Sequence, residues 1–200
     1  MKVTLDAALA AAQRGSRLAA LGGGLLILAA AVLVSVDVVL RKFFSVTVGG
    51  ADELSGYALA IGSTWSFAFV LLNRGNVRID ALYQLLPRAL AAVCDMLALI
   101  ALLGFVSVVT WHGSGVLAQS WQLGARSNSA LAVPLVLPQA LWWLGYVAFV
   151  ACAGVLLLRG ALAFAGADWA DVNRLMGARS IQEEADDELN QAVQAMQGKP

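Results

Sequence analysis

Residues 18–36, LAALGGGLLILAAAVLVSV, lie between Arg17 and Asp37 without a charged side chain. A helix rises about 1.5 Å per residue, so this stretch with its flanks is long enough to cross a hydrocarbon core about 30 Å thick. Three further windows are of the same kind. Residues 54–73 carry no charge between Glu53 and Arg74, residues 89–111 carry one acid, Asp95, and residues 131–158 end at Arg159. Each is too long and too evenly apolar for a barrel strand, which alternates with a two-residue period. The reading is an all-α integral membrane protein with four transmembrane helices, over about 18–40, 54–73, 89–111 and 131–158.

Composition agrees. Of the 200 residues, 60% are hydrophobic and 13% charged, against about 25% charged in ordinary soluble domains. Thirteen Lys and Arg balance thirteen Asp and Glu, so net charge does not point to a nucleic-acid partner. The balance has two unequal parts. From Gly166 onward the acids Asp168, Asp171, Glu183, Glu184, Asp186, Asp187 and Glu188 face only Arg174, Arg179 and Lys199, so an acidic tail follows a basic body.

Three regions follow: residues 1–17, an amphipathic lead-in expected at the inner surface; 18–165, the transmembrane domain; and 166–200, an acidic cytoplasmic tail. Positive charge sets orientation, since cytoplasmic segments carry the excess of Lys and Arg. With the N-terminus inside, only Arg41, Lys42 and Arg126 fall outside, which makes both termini cytoplasmic. A cleaved signal peptide is the alternative for the first window. Its apolar run exceeds the roughly 7–15 residues of a signal core, and Asp37 and Arg41 read as a helix end.

Local features refine the picture. Gly22-Gly23-Gly24 sits inside the first span, where it either admits a close neighbouring backbone or marks a tolerant lipid-facing segment. Phe43, Phe44, Val46 and Val48 make the connection after it an interfacial stretch. Asp52 and Glu53 open the second span, at the positive end of its helix dipole. Pro134 and Pro138 share a face at the start of the fourth, the second being expected to kink it. Cys94 and Cys152 read as small apolar fillers. Ser180-Ile181-Gln182-Glu183 fits a capping box, and Ile181, Ala185, Leu189, Val193 and Met196 form a narrow stripe, predicting a short helix in the tail.

Little of this supports catalysis. One histidine, His112, excludes bis-imidazole haem ligation within one chain, and there is no Walker loop, HExxH, paired CxxC or Ser-His-Asp set. The chain is expected to be no enzyme and to hold no cofactor or metal. Charges at the membrane edge carry more information, since each is costly at depth. Asp37 and Arg41 are four apart with the acid first, the favourable order for a helical ion pair. The pair, with Lys42, either anchors the span end or contacts a partner at the outer surface. Asp95 is either structural, within reach of Arg88, or part of a cation relay.

Three segments together resemble a known family. Asp37-Val38-Val39-Leu40-Arg41-Lys42-Phe43-Phe44, then Ala51-Asp52-Glu53-Leu54-Ser55-Gly56-Tyr57, then Asn73-Arg74-Gly75-Asn76-Val77-Arg78-Ile79-Asp80 are similar to the small permease (Q-type) subunit of tripartite ATP-independent periplasmic (TRAP) transporters. The order and spacing of the motifs around four spans carry the resemblance, which covers most of residues 10–165. The chain departs from it at Asn76, where the family often has His, and in the length of its acidic tail.

The resemblance implies a multi-pass subunit of the bacterial inner membrane. It would act as a scaffold for a large permease subunit, which carries the substrate and sodium sites, and help seat a periplasmic substrate-binding protein during sodium-coupled symport of an organic acid. Asp37, Arg41, Lys42, Asp52 and Glu53 would lie at the outer face as binding-protein or subunit contacts. Arg74, Arg78, Asp80 and Arg88 would lie at the inner face, for orientation or subunit contact. The expected partners are these two proteins and membrane lipid, without nucleic acid. The competing reading is a self-sufficient homo-oligomeric small channel or exporter. It needs a polar stripe, which Asp95, Ser107, Thr110 and His112 come closest to supplying.

Overall fold

The computed structural model describes residues 2–75, 86–129 and 131–177, together with Leu189, Val193 and Met196. Its elements are α1 (Lys2–Phe44), α2 (Ala51–Leu72), α3 (Arg88–Leu123), α4 (Val136–Ala165) and α5 (Trp169–Met176). The four long helices are all apolar and long enough to cross a membrane. Among the described residues the only bridge of β type is the isolated pair Arg126–Pro134.

Alanine and leucine dominate these helices, the residues that lose least on entering a helix. Their ends are set locally. Gly124, with φ 57°, stops α3 in the left-handed region that favours glycine, and the Ala125 N–H turns back to the Ser120 carbonyl at 3.0 Å. Asp168 caps α5, its side chain accepting from Asp171 N at 3.1 Å.

The spans form a row in the order α1, α2, α4, α3, with the start of α1 also reaching α4 and with α5 packed on α3 and α4. One end of the row carries the loops 45–50 and 124–135; we call it the loop end, and the opposite one, with Lys2 and α5, the terminal end. Where α1 crosses α2 the backbones nearly touch. A Cβ on Gly23 would stand 2.8 Å from Gly62 O, and one on Gly62 2.7 Å from Gly23 O. Gly22 and Gly24 face open space, so only the middle glycine of the triplet is needed for the approach.

The register of the row is read from three contacts. A Cβ on Gly145 would lie 2.5 Å from Thr64 Oγ1, Trp65 Nε1 donates to Leu141 O at 2.9 Å, and Trp143 Nε1 donates to Thr110 O at 2.9 Å. Thr64 and Thr110 are also the midpoints of the charge-free stretches 54–73 and 96–125, and the midpoint of 127–158 falls between Trp142 and Trp143, the latter bonded to Thr110. Three spans thus bring the middles of their charge-free stretches close to one level of the row. The core extends from there toward the terminal end, through Ala68, Leu72, Val106, Phe149, Ala153 and Leu156. Phe67 adds edge contacts to Phe149 and Tyr146, with ring centroids 6.3 and 6.0 Å apart.

Several expectations change. Residues 2–17 form the first turns of α1, a continuous helix of 43 residues, about 64 Å long. The third helix runs to Leu123, well past Trp111, because nothing before Gly124 breaks it and α4 packs alongside. Pro138 falls in the first turn of α4, where a missing N–H is no loss, so it starts the helix without kinking it. Cys94 is exposed, hence no core filler, and Cys152 is half-buried; both are free thiols. The capping box at 180–183 lies outside the described residues. Leu189, Val193 and Met196 of the tail stripe are helical and exposed.

Candidate functional site

At the loop end the organising group is Asp37. It is 1% exposed. One oxygen pairs with the Arg41 guanidinium, one turn on. The other accepts from Thr47 Oγ1 at 2.9 Å and from the Val48 N–H at 2.6 Å. The chain leaves α1 through a left-handed Ser45, φ 53°, and is drawn back onto this carboxylate before α2 begins. The ion pair expected from the spacing is present, and it also fixes the connection between two spans, which spacing could not reveal.

A second loop joins this rim. Residues 125–129 pair with residues 131–135, Ser127 N donating to Val133 O at 2.9 Å and Leu135 N to Ala125 O at 3.0 Å. Leu131 fills the space above Gly50, where a Cβ would come within 2.2 Å of its side chain. Ser127 and Ser129, whose hydroxyls are 2.9 Å apart, stand beside the Glu53 carboxylate, which also accepts from the Tyr57 hydroxyl. The rim is therefore tied at two acids, Asp37, whose two oxygens are both engaged within the chain, and Glu53, which accepts through Oε1. Arg41, Lys42, Asp52 and Arg126 remain exposed to a neighbour.

The terminal end contains a network that the sequence reading missed. Arg159, 6% exposed, links Asp6 of α1 at 2.7 Å and Asp171 of α5 at 2.8 Å, and Arg174 adds a second cation to Asp171 at 3.0 Å. Burial works against ionisation of Asp171, but the bonds and charges of Arg159 and Arg174 outweigh it and hold the carboxyl below its ordinary value. Beneath the network Ala92, Ala163 and Val172 are fully buried, and Trp169 packs edge-on against Phe164 with centroids 5.0 Å apart. Gly160 makes room for Met176, whose Cε occupies the place of a Cβ. A signal did exist: Asp168 as a cap, followed by Trp169, Val172 and Met176 at helical spacing, marks a short docked helix.

Other expected residues distribute differently. Asp95 is 2% exposed and adjoins Met96, which packs at Gly160, so it belongs to the terminal end, about 22 Å along α3 from Thr110. Arg74 sits just past α2 in a left-handed turn, φ 56°. Arg78 and Asp80 lie outside the described residues. Arg88 is the first residue of α3.

Polar groups at mid-depth are turned onto their own helices. Thr64 donates to Ala60 O and Ile61 O, Ser66 to Gly62 O, and Thr110 to Val106 O. Asp95, Thr110 and His112 do not share a path: the first is buried at the terminal end, the second bonded to backbone, the third exposed. An apolar opening of about 440 Å³ between α1, α2 and α4 is lined by Ala12, Ser16, Trp65, Ala68, Gly145 and Cys152 among others. Among the described residues no group of three or more His, Cys, Asp or Glu is placed to hold a metal ion.

In comparisons with known proteins, the family model described as "Tripartite ATP-independent periplasmic transporters, DctQ component" matches residues 18–163. No curated protein and no solved structure matches the chain.

Proposed function

Because the chain belongs to the DctQ component family of tripartite ATP-independent periplasmic transporters, a small, multi-pass membrane component that works with other subunits, we propose that it serves as the stationary scaffold of such a transporter. It holds a large permease subunit in place and helps seat a periplasmic binding protein while an organic acid enters with sodium. Sodium and substrate sites belong to the large subunit, the membrane is the bacterial inner membrane, and both termini are cytoplasmic.

One observation carries this reading. Both ends of the row are locked by ion pairs within the chain, at Asp37–Arg41 and at Asp6–Arg159–Asp171, while the hydroxyls of Thr64, Ser66 and Thr110 between them are bonded to their own helices. Such a chain suits a rigid support better than a path for a hydrophilic solute. The loop end, which faces the periplasm in this orientation, offers Arg41, Lys42, Asp52 and Arg126 to a soluble partner. Asp37 and Glu53 position the loops that carry them. A transporter-component family also points away from enzymatic activity.

The test is reconstitution. Proteoliposomes with the large subunit, the binding protein and this chain should take up substrate in response to a sodium gradient. Omitting this chain should abolish uptake, and this chain alone should transport nothing. Uptake by this chain alone would overturn the proposal in favour of a self-sufficient channel or exporter.

A further inference from the structure

The open face of α1 carries two arginines at the foot of a hydrocarbon stripe. Arg14 and Arg17 are exposed, and the exposed Leu18, Leu21, Leu25, Leu28 and Val32 continue the same side of the helix toward the loop end. Side chains three apart on a helix are neighbours, with Cβ atoms about 5–6 Å from one another, so the two guanidiniums can reach one group. Among the described residues neither is bonded to another side chain. No acid occurs in α1 between Asp6 and Asp37, so the stripe has positive charge alone.

Packing on the opposite side of α1 holds the pair in position. Before it, Asp6 bonds Arg159 at 2.7 Å and Leu9 is in the core; between the two arginines Ser16 is buried; after them Gly23 meets Gly62. That last contact also sets their level, because α1 and α2 run in opposite directions. Nine residues back from Gly23 is Arg14, and nine on from Gly62 is Leu71, in the last turn of α2. The arginines thus stand where the neighbouring span ends, at the border of the hydrocarbon, with long side chains that reach outward from it.

We propose that this face of α1 binds an anionic phospholipid of the leaflet at the terminal end, with Arg14 and Arg17 on the headgroup phosphate and the acyl chains along Leu18, Leu21, Leu25 and Leu28. Charge and position select this occupant. A guanidinium presents a fork of N–H donors that matches phosphate oxygens. Hydrocarbon begins one residue after Arg17, so the ligand that covers both parts carries acyl chains, which a free phosphate lacks. A protein helix on the same face would have to bring carboxylates to this level, and acids are rare in membrane helices; phosphate lies at it throughout the leaflet.

The experiment titrates the full chain, in a neutral detergent, with dioleoyl phosphatidylglycerol, and with dioleoyl phosphatidylcholine as the net-neutral comparison. Native mass spectrometry should show the glycerol lipid retained in preference. Arg14→Gln and Arg17→Gln should each weaken its binding about fivefold, the worth of one cation near a lipid surface, with helicity unchanged. Arg17→Lys, which keeps the charge, should stay within about twofold of the parent. Lys2→Gln removes an exposed cation at the same end but off the stripe and should change nothing. In native membranes, a photoreactive benzoylphenylalanine at Leu21 should form adducts with phospholipid. Equal retention of the two lipids, an equal loss from Lys2→Gln, or displacement of the lipid by millimolar inorganic phosphate would each overturn the proposal. So would adducts from Leu21 to a protein in place of lipid. Each of these results leaves the scaffold reading standing, since transport reconstituted with the other subunits tests that separately.

Discussion

Arg159 near the end of α4 and Asp6 near the start of α1, 153 residues apart in sequence, form an ion pair of 2.7 Å. The arginine is 6% exposed and continues to Asp171 of α5. One guanidinium thus joins the first helix, the fourth and the last described one, in place of a larger apolar core at that end. Removing one member of a buried pair leaves the others uncompensated.

Arg159→Met should therefore destabilise the terminal end by roughly 3–5 kcal/mol. Asp6→Asn should cost less than about 1 kcal/mol, because Asp6 is half exposed and water screens the pair. Thermal unfolding in detergent, with limited proteolysis within residues 2–16, would measure both. Equal losses would show that the network is not centred on Arg159.

The pH dependence follows from Asp171. Its folded carboxyl lies below its ordinary value, so the stabilisation is present above the ordinary carboxylate range and is lost as pH falls through the folded value. Fluorescence of Trp169, which reports docking of α5 on Phe164, should be flat from pH 7 to 5 and change only below about pH 4. Asp171→Asn should remove the transition. A midpoint near pH 6 would contradict the assignment.

The glycine triplet gives a contrast inside one turn. Gly23→Ala should push α1 from α2 and cost about 1–3 kcal/mol, since its Cβ would meet the Gly62 backbone. Gly22→Ala and Gly24→Ala meet nothing and should be neutral or stabilising by up to about 1 kcal/mol. Melting curves of the three variants test the ranking. Gly62→Ala should behave like Gly23→Ala.

At the loop end, Asp37→Ala should release residues 45–50, because Thr47 and Val48 lose their common acceptor. Hydrogen exchange at the Val48 amide should rise about tenfold or more. Lys42→Glu, on an exposed side chain, should leave that exchange unchanged and raise the binding-protein concentration needed for half-maximal uptake several-fold. Uptake unaltered across a binding-protein titration would remove Lys42 from the docking surface.

The four spans were legible because their signal is one-dimensional: a charge-free stretch of sufficient length must be helical in hydrocarbon, whatever its neighbours. The Asp37–Arg41 pair was legible for the same reason, being four residues apart on one helix. Motif order around the spans pointed to the family, and the match over residues 18–163 agrees. Helix ends were less readable. The third span was drawn to Trp111, whereas α3 continues to Leu123 until Gly124 stops it.

The sequence by itself determined the spans, the ion pair within α1 and the family, since each depends on composition or spacing along one helix. Only the tertiary structure decided that Asp6, Arg159 and Asp171 meet, that one glycine of three is needed, and that Trp143 reaches the Thr110 carbonyl. Those relationships depend on the register between helices. Register is fixed by contacts between residues far apart in the chain, such as Gly23 with Gly62 and Thr64 with Gly145, and no periodicity along a single segment encodes them.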